Sequence, residues 1–365
     1  MKPIFILLII LAISGLAYIN SNKPSVTTNP TTQVSPSPTP QNTEEFTVIA
    51  KNLDTPWAVA FLPDKSILVT ERFGRVNLID SSGNLTPIAT LTQVKEIGEG
   101  GLLGITLHPD FSNNHFVYLY YTYQANGNDT LNRVVRMTYL DQKLSDEKII
   151  VDKIPGASNH NGGRLKFGPD KLLYITTGDA SEPSLAQDKN SLAGKILRVS
   201  AEGKVEIYSY GHRNPQGIAW DSSGKLWETE HGRSGAPSGL DEINLIQQGK
   251  NYGWPTIQGD EKKEGMETSV KNSGSTTWAP AGAAFIGNSL FFGGLRGQTL
   301  YEAVTENNQI ADLKEHFKNQ FGRIRDVVSG PDGMLYITTS NKDGRGNPAS
   351  DDDKIIKINL MRKSS

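Results

Sequence analysis

A single phrase recurs along this chain: an approach loop, an apolar strand, a tight polar turn, and a return strand rich in β-branched and aromatic residues. Its fullest copy runs from Ser158-Asn159-His160 through Leu165-Lys166-Phe167 to a turn at Pro169-Asp170, then back along Leu173-Tyr174-Ile175-Thr176-Thr177. The residues that close the first strand of successive copies are Phe61, Leu107, Phe167, Trp220, Phe285 and Val328, spaced by 46, 60, 53, 65 and 43 residues. A hairpin unit returning at roughly 40–50 residues marks the blades of a propeller, the longer spacings being absorbed by loops. Six units predict an all-β fold, a six-bladed β-propeller of four-stranded antiparallel blades over residues 45–363. A β-sandwich with irregular hairpins is the competing architecture. Helical periodicity is scarce, and its best stretch is Ile310 to Lys318.

The chain has 365 residues, a formal net charge of −2 and no cysteine. The charge does not suit a nucleic-acid binder, and the missing cysteines exclude disulfides, thiolate zinc sites and a Cys nucleophile. Lys2 followed by the apolar run Ile4 to Ala17 reads as a secretory signal over residues 1–19, cleaved or kept as an N-terminal membrane anchor. Residues 20–44 are Ser, Thr, Asn, Gln and Pro almost throughout, the composition of a disordered linker. The expected location is therefore periplasmic or extracellular.

The repeat also aligns the chain with itself. Seven residues before the closing residue stand His160 and Arg213; Glu99 stands eight before, and Arg323 and Arg325 five and three before. Eleven residues after it stand Arg72, His231 and Arg296. A hairpin returns its second strand to the end where the first began, so all of these residues meet at one rim of the channel. Arginines gathered there repel one another unless an anion lies between them, which implies a ligand with several carboxylates or phosphates. His231-Gly232-Arg233-Ser234-Gly235 with Asp241-Glu242 offers oxygen donors suited to a hard cation such as Ca²⁺. Asp351-Asp352-Asp353 reads as a solvated turn, and Asn251-Tyr252-Gly253-Trp254-Pro255 as a structural corner between blades, an aromatic bordering the ligand being the lesser alternative.

Gly98-Glu99-Gly100-Gly101-Leu102-Leu103-Gly104, His160 to Asp170, Gly211-His212-Arg213-Asn214-Pro215-Gln216-Gly217, Asp241-Glu242-Ile243-Asn244-Leu245, Leu295-Arg296-Gly297 and Gly322-Arg323-Ile324-Arg325-Asp326 together resemble the glucose/sorbosone dehydrogenase family. That family comprises soluble glucose and aldose sugar dehydrogenases that use pyrroloquinoline quinone (PQQ). The resemblance spans about residues 46–360. It implies PQQ across the channel mouth, with Ca²⁺ beside it, and oxidation of an aldose at C1 to the lactone. On the matching positions His160 would be the general base, and Arg213, Asn214, His231, Arg296, Arg323 and Arg325 would hold the cofactor. Glu99 and Asn159 would face the sugar, and the carbonyls of Gly232 and Arg233 the calcium. Glu99, Asn159 and Arg296 stand where glucose-oxidising members have Gln, Asp and Lys, which points to a broad aldose range. The electron acceptor is not implied. Two other functions fit the same scaffold: a non-catalytic cell-surface binding module, and a calcium-dependent lactonase.

Overall fold

A computed structural model describes residues 45–127, 129–200, 203–235 and 238–359. The signal and linker segments expected over 1–19 and 20–44 lie outside the described residues. The fold is a six-bladed β-propeller, each blade a four-stranded antiparallel sheet. Its innermost strands are Pro56–Phe61, Leu102–Leu107, Leu165–Phe167, Pro215–Trp220, Pro280–Ile286 and Ile324–Ser329, which pack against one another around the axis. The closing residues chosen from the repeat all fall within the last two positions of these strands.

The turns explain why the phrase repeats. In the first blade Asp64 Oδ1 accepts the Ser66 N–H at 2.9 Å; in the third Asp170 Oδ1 accepts that of Leu172 at 3.1 Å; in the sixth Asp332 Oδ1 accepts that of Met334 at 3.2 Å. An Asp side chain bonding the backbone two residues on fixes a tight reversal, and so sets the register of the hairpin. The return strand then ties the turn down: Tyr174 and Tyr336 donate their hydroxyls to Asp170 and Asp332, and Trp227 its indole N–H to Asp221. In the second blade the turn is expanded by a short helix, Phe111–Asn114.

Ring closure is supplied by the first strand, Phe46–Ala50, which pairs antiparallel with the last, Ile355–Ile358, and becomes the outer strand of the sixth blade. Phe46 is fixed there edge-on to Phe317 and Phe321, at centroid distances of 6.2 and 4.9 Å. The stretch 310–318, the best helical pattern in the sequence, is strand instead: Gln309–His316 is the outer edge of the fifth blade, its burial alternating irregularly against Thr299–Glu306. An exposed edge strand with few buried positions carries a weak period-2 signal, which the helical period mimicked.

The closure can be tested through Phe46. Phe46→Ala should lower stability by about 2 kcal/mol, between one aromatic pair and a full core truncation. Thermal denaturation of the variant should show a single transition at lower temperature, because opening one blade removes packing from both of its neighbours.

Candidate active site at the channel mouth

The loops that lead into the inner strands and those that leave the second strands share one end of the channel. His160 is in the first kind of loop, with φ of 60°. That strained left-handed backbone is held at three points. The His160 N–H donates to Glu99 Oε2 at 3.1 Å, its carbonyl accepts from Ala180 at 3.1 Å, and Gly178 lies so close that a Cβ there would meet the carbonyl oxygen at 1.9 Å. The ring faces Asp179, with Nδ1 at 2.8 Å from Oδ1. Asp179 is fully buried, and its other oxygen accepts the indole N–H of Trp254 at 2.8 Å. A carboxylate fixed on Nδ1–H selects the tautomer that leaves Nε2 with a lone pair.

The arginines divide into two kinds. Arg323 donates Nε and Nη2 to Asp343 Oδ2 at 2.9 and 2.7 Å, and Nη1 to the Leu295 carbonyl, so its charge is matched within the protein. Arg325 is just as buried but touches no carboxylate; Nη1 reaches the neutral Gln216 Oε1 at 3.0 Å, and Nε has no partner. Burial pulls its guanidinium down to about 9, with Arg323 and Arg72 adding to the effect against Asp343 and Glu99, yet it stays charged at neutral pH. Arg213 lies against Trp254 at 5.3 Å and spends its donors on the His231 carbonyl and Ser234 Oγ. Arg296 is exposed on the turn after Ser289–Gly294. The mutual repulsion expected of the rim arginines is thus unevenly spread among them. Asp343 neutralises Arg323 and solvent screens Arg296, which leaves Arg213 and Arg325 buried with neutral partners only, and of the two Arg325 alone has an unpaired Nε.

Other atoms at this mouth are also buried without partners: Asn214 Nδ2, His231 Nε2 and Arg233 Nε. Asn214 is anchored through its oxygen, which accepts from the Gly162 N–H and Gln216 Nε2, so the amide nitrogen is presented to the mouth. Burial drives His231 down to about 3, Arg213 and Arg325 reinforcing it against Glu99, so its imidazole is neutral. Buried polar groups seldom go unpaired. A cluster made mostly of unpaired N–H donors is the complement of a polyanion, so these residues fit a ligand bearing several carboxylates.

Where the sequence suggested a cation, the Gly232 N–H donates to Asp241 Oδ1 at 2.8 Å. A Cβ at Gly232 would meet the carbonyl oxygens of Leu240 and Gly239 at 2.1 and 2.4 Å. That density of backbone oxygen beside a buried carboxylate is compatible with a hard cation. Behind it, within the fourth blade, His212, Glu228 and Glu230 bring ligand atoms within 4.8 Å of one another. Burial and the adjacent Glu230 push the Glu228 carboxyl well up.

Sequence reasoning missed Asp179, Trp254 in its hydrogen-bonding role, Asp343 and Arg345. Asp179 was within reach, standing one residue past the phase used for Arg72, His231 and Arg296. Asp352 and Asp353, read as a solvated turn, are buried: Asp353 accepts from the Asn341 and Lys342 N–H groups, and Asp352 from Ala349 N–H and Asn341 Nδ2.

The glucose/sorbosone dehydrogenase family matches residues 53–356. The chain belongs to the glucose/sorbosone dehydrogenase family. It is therefore an oxidoreductase. The aldose sugar dehydrogenase of Escherichia coli is 32% identical over 340 residues, 81% of this chain and 90% of that protein. Quinoprotein glucose dehydrogenase B of Acinetobacter calcoaceticus is 34% identical over 58% of this chain and 52% of its own length. Among solved structures, the PQQ-bound aldose sugar dehydrogenase of Streptomyces coelicolor superposes with a TM-score of 0.80 at 36% identity, covering 86% of this chain and 96% of that one.

The two kinds of arginine in this family member should separate in stability measurements on the PQQ-free protein. Arg323→Ala strands Asp343 as a buried lone charge and should cost about 3–5 kcal/mol. Arg325→Met removes a buried cation that has no counter-charge and should leave the melting temperature unchanged or higher.

Proposed function

We propose that this protein oxidises aldose sugars at C1 to the lactone, with PQQ as its cofactor. The observation that carries the reading is Arg325, a buried cation with no carboxylate partner and an unpaired Nε, surrounded by other unpaired donors. Arg325, Asn214 and His231 would meet the cofactor's carboxylates and polar edge, with Arg323 and Arg213 supplying field from behind and Arg296 closing the outer side. Carbonyls of Gly232 and Arg233 would hold Ca²⁺ against it. Bound PQQ would supply the two-electron acceptor for the hydride that leaves C1.

The chain's own residues account for the rest. His160 Nε2 takes the proton of the C1 hydroxyl, its lone pair kept available by the Asp179 contact on Nδ1. The imidazolium so formed is stabilised by the buried Asp179 carboxylate, which the Trp254 indole and the Ser181 N–H hold still. Trp254 also stands between this dyad and Arg213, so the base and the anion site share a wall. Glu99, which accepts the His160 N–H, and Asn159, the residue before His160, would face the sugar.

A separate acceptor must withdraw the electrons. The leader-like start of the chain supports export, and no helix among the described residues is long and apolar enough to cross a membrane. The lactonase alternative needs carboxylates from several blades on one ion. The only His/Asp/Glu group of that kind among the described residues, His212-Glu228-Glu230, comes from a single blade.

The purified protein should bind PQQ in the presence of Ca²⁺, and an aldose should then bleach the quinone absorbance. A protein that binds PQQ but shows no change with glucose, other aldoses or disaccharides is not a sugar dehydrogenase. His160→Ala should keep PQQ and slow oxidation by about 10²–10⁴. Arg325→Met should weaken cofactor binding by roughly 1.5–3 kcal/mol, measured by reconstitution titration.

A further inference from the structure

The loop between the last two strands of the sixth blade, Leu335–Thr339 and Ile355–Ile358, crosses the mouth and ends above the sugar side. It is a built strap. Asn341 Oδ1 accepts the Arg323 N–H at 2.9 Å, Asp343 Oδ2 takes the Arg323 guanidinium, and Lys342 Nζ donates to the Leu53 carbonyl at 2.9 Å. Buried Asp352 and Asp353 hold its base through backbone N–H groups. Gly346 lies flat on Asn341, where a Cβ would meet the carbonyl oxygen at 2.5 Å.

At the tip, Arg345 reaches across to two other blades. Nη1 donates to Glu99 Oε1 at 2.7 Å and Nη2 to Asn159 Oδ1 at 3.1 Å. Its backbone N–H is fixed by Asp343 Oδ1 at 2.9 Å, so the residue that orients Arg345 is the one that neutralises Arg323. Glu99 Oε2 in turn receives the His160 N–H. Arg345 is therefore joined to both polar residues beside the base, yet its side chain is 52% exposed. A guanidinium carries five N–H donors. Two are spent on Glu99 and Asn159, and the others have no partner among the described residues. With half of the side chain exposed, they are available to a sugar's hydroxyl oxygens as acceptors.

Resting on the dehydrogenase reading, we propose that Arg345 positions the sugar and sets its class: it donates to hydroxyl oxygens of a neutral aldose, while its pairing with Glu99 leaves the sugar side without net charge. An acidic sugar gains nothing from a guanidinium already matched by Glu99, and it would desolvate its carboxylate beside that residue. Lysine cannot replace the fork, because one ammonium does not span two acceptors in the planar geometry that Glu99 and Asn159 present.

The test uses the PQQ-loaded full-length protein and its Arg345→Ala and Arg345→Lys variants, with glucose and glucuronate as probes. Arg345→Ala should raise KM for glucose about 10- to 100-fold, as expected for lost charge-assisted bonds. It should change kcat by no more than about threefold, since His160 and Asp179 are untouched. PQQ titration should be the same as for the parent, and Arg345→Lys should recover only part of the KM. The parent should favour glucose over glucuronate. Independently of turnover, glucose should slow phenylglyoxal modification of Arg345 in the parent kept without electron acceptor, read by peptide mass, but not that of Arg198 on the third blade. An unchanged KM, or an Arg345 that glucose does not protect, overturns the proposal, as does loss of PQQ binding in Arg345→Ala, which would make it a cofactor residue. If the parent never oxidises a sugar, the dehydrogenase mechanism falls, and protection of Arg345 still decides the sugar contact.

Discussion

The structure depends on one pairing, that of the first strand with the last. Phe46 to Ala50 lies against Ile355 to Ile358, and without it the sixth blade lacks its outer strand and the ring an end-to-end join. The residues of the site sit on loops at one end of the channel, or, for Arg325, at the start of the inner strand Ile324–Ser329, and they face one another only in a closed ring. Glu99 comes from the second blade, His160 from the third, Arg213 from the approach to the fourth, and Arg323 and Arg325 from the sixth. The geometry of catalysis is thus fixed by a contact far from it.

Within that ring, charge is arranged in two layers. Toward the middle of the channel, Arg164 pairs with Asp326 at 2.9 Å, and Asp326 also accepts the Val59 N–H from a neighbouring blade. This pair matches charge with charge and ties blades together, with Arg164 Nη2 alone left without a partner. At the mouth, Arg325 and the unpaired nitrogens of Asn214 and His231 are not satisfied. A buried charge without a partner lowers the stability of the empty protein, and such local departures concentrate where a ligand supplies the missing group. The Arg323–Asp343 pair marks the border between the layers. It faces the mouth but is balanced from within, and the same aspartate carries the strap that brings Arg345 over Glu99 and Asn159.

His160, the proposed base, is held by similar means. His160 has a left-handed backbone, and it is held there by Glu99, Ala180 and the bare face of Gly178. Its ring is set by Asp179, whose other oxygen is fixed by a tryptophan from the loop after the fourth blade's third strand. The proposed proton acceptor and Arg213 therefore share a wall, Trp254.

The sequence by itself determined the architecture and the phase of the site. A polar turn repeated after an apolar strand, with Asp capping its own backbone, is a local device whose signature survives in one dimension. It placed the inner strands, and it brought His160, Arg213 and Arg325 to one rim. Where the local pattern was weak it misled, as at the edge strand Gln309–His316. Only the tertiary structure decided which charges are free. Arg323 and Arg325 differ by two positions and look alike in sequence, but one meets Asp343 from the strap and the other meets only Gln216. Asp179, Asp352 and Asp353 are likewise ordinary acids until the fold buries them. Pairing is a property of side chains brought together from distant loops, and no spacing along the chain records which of them will touch.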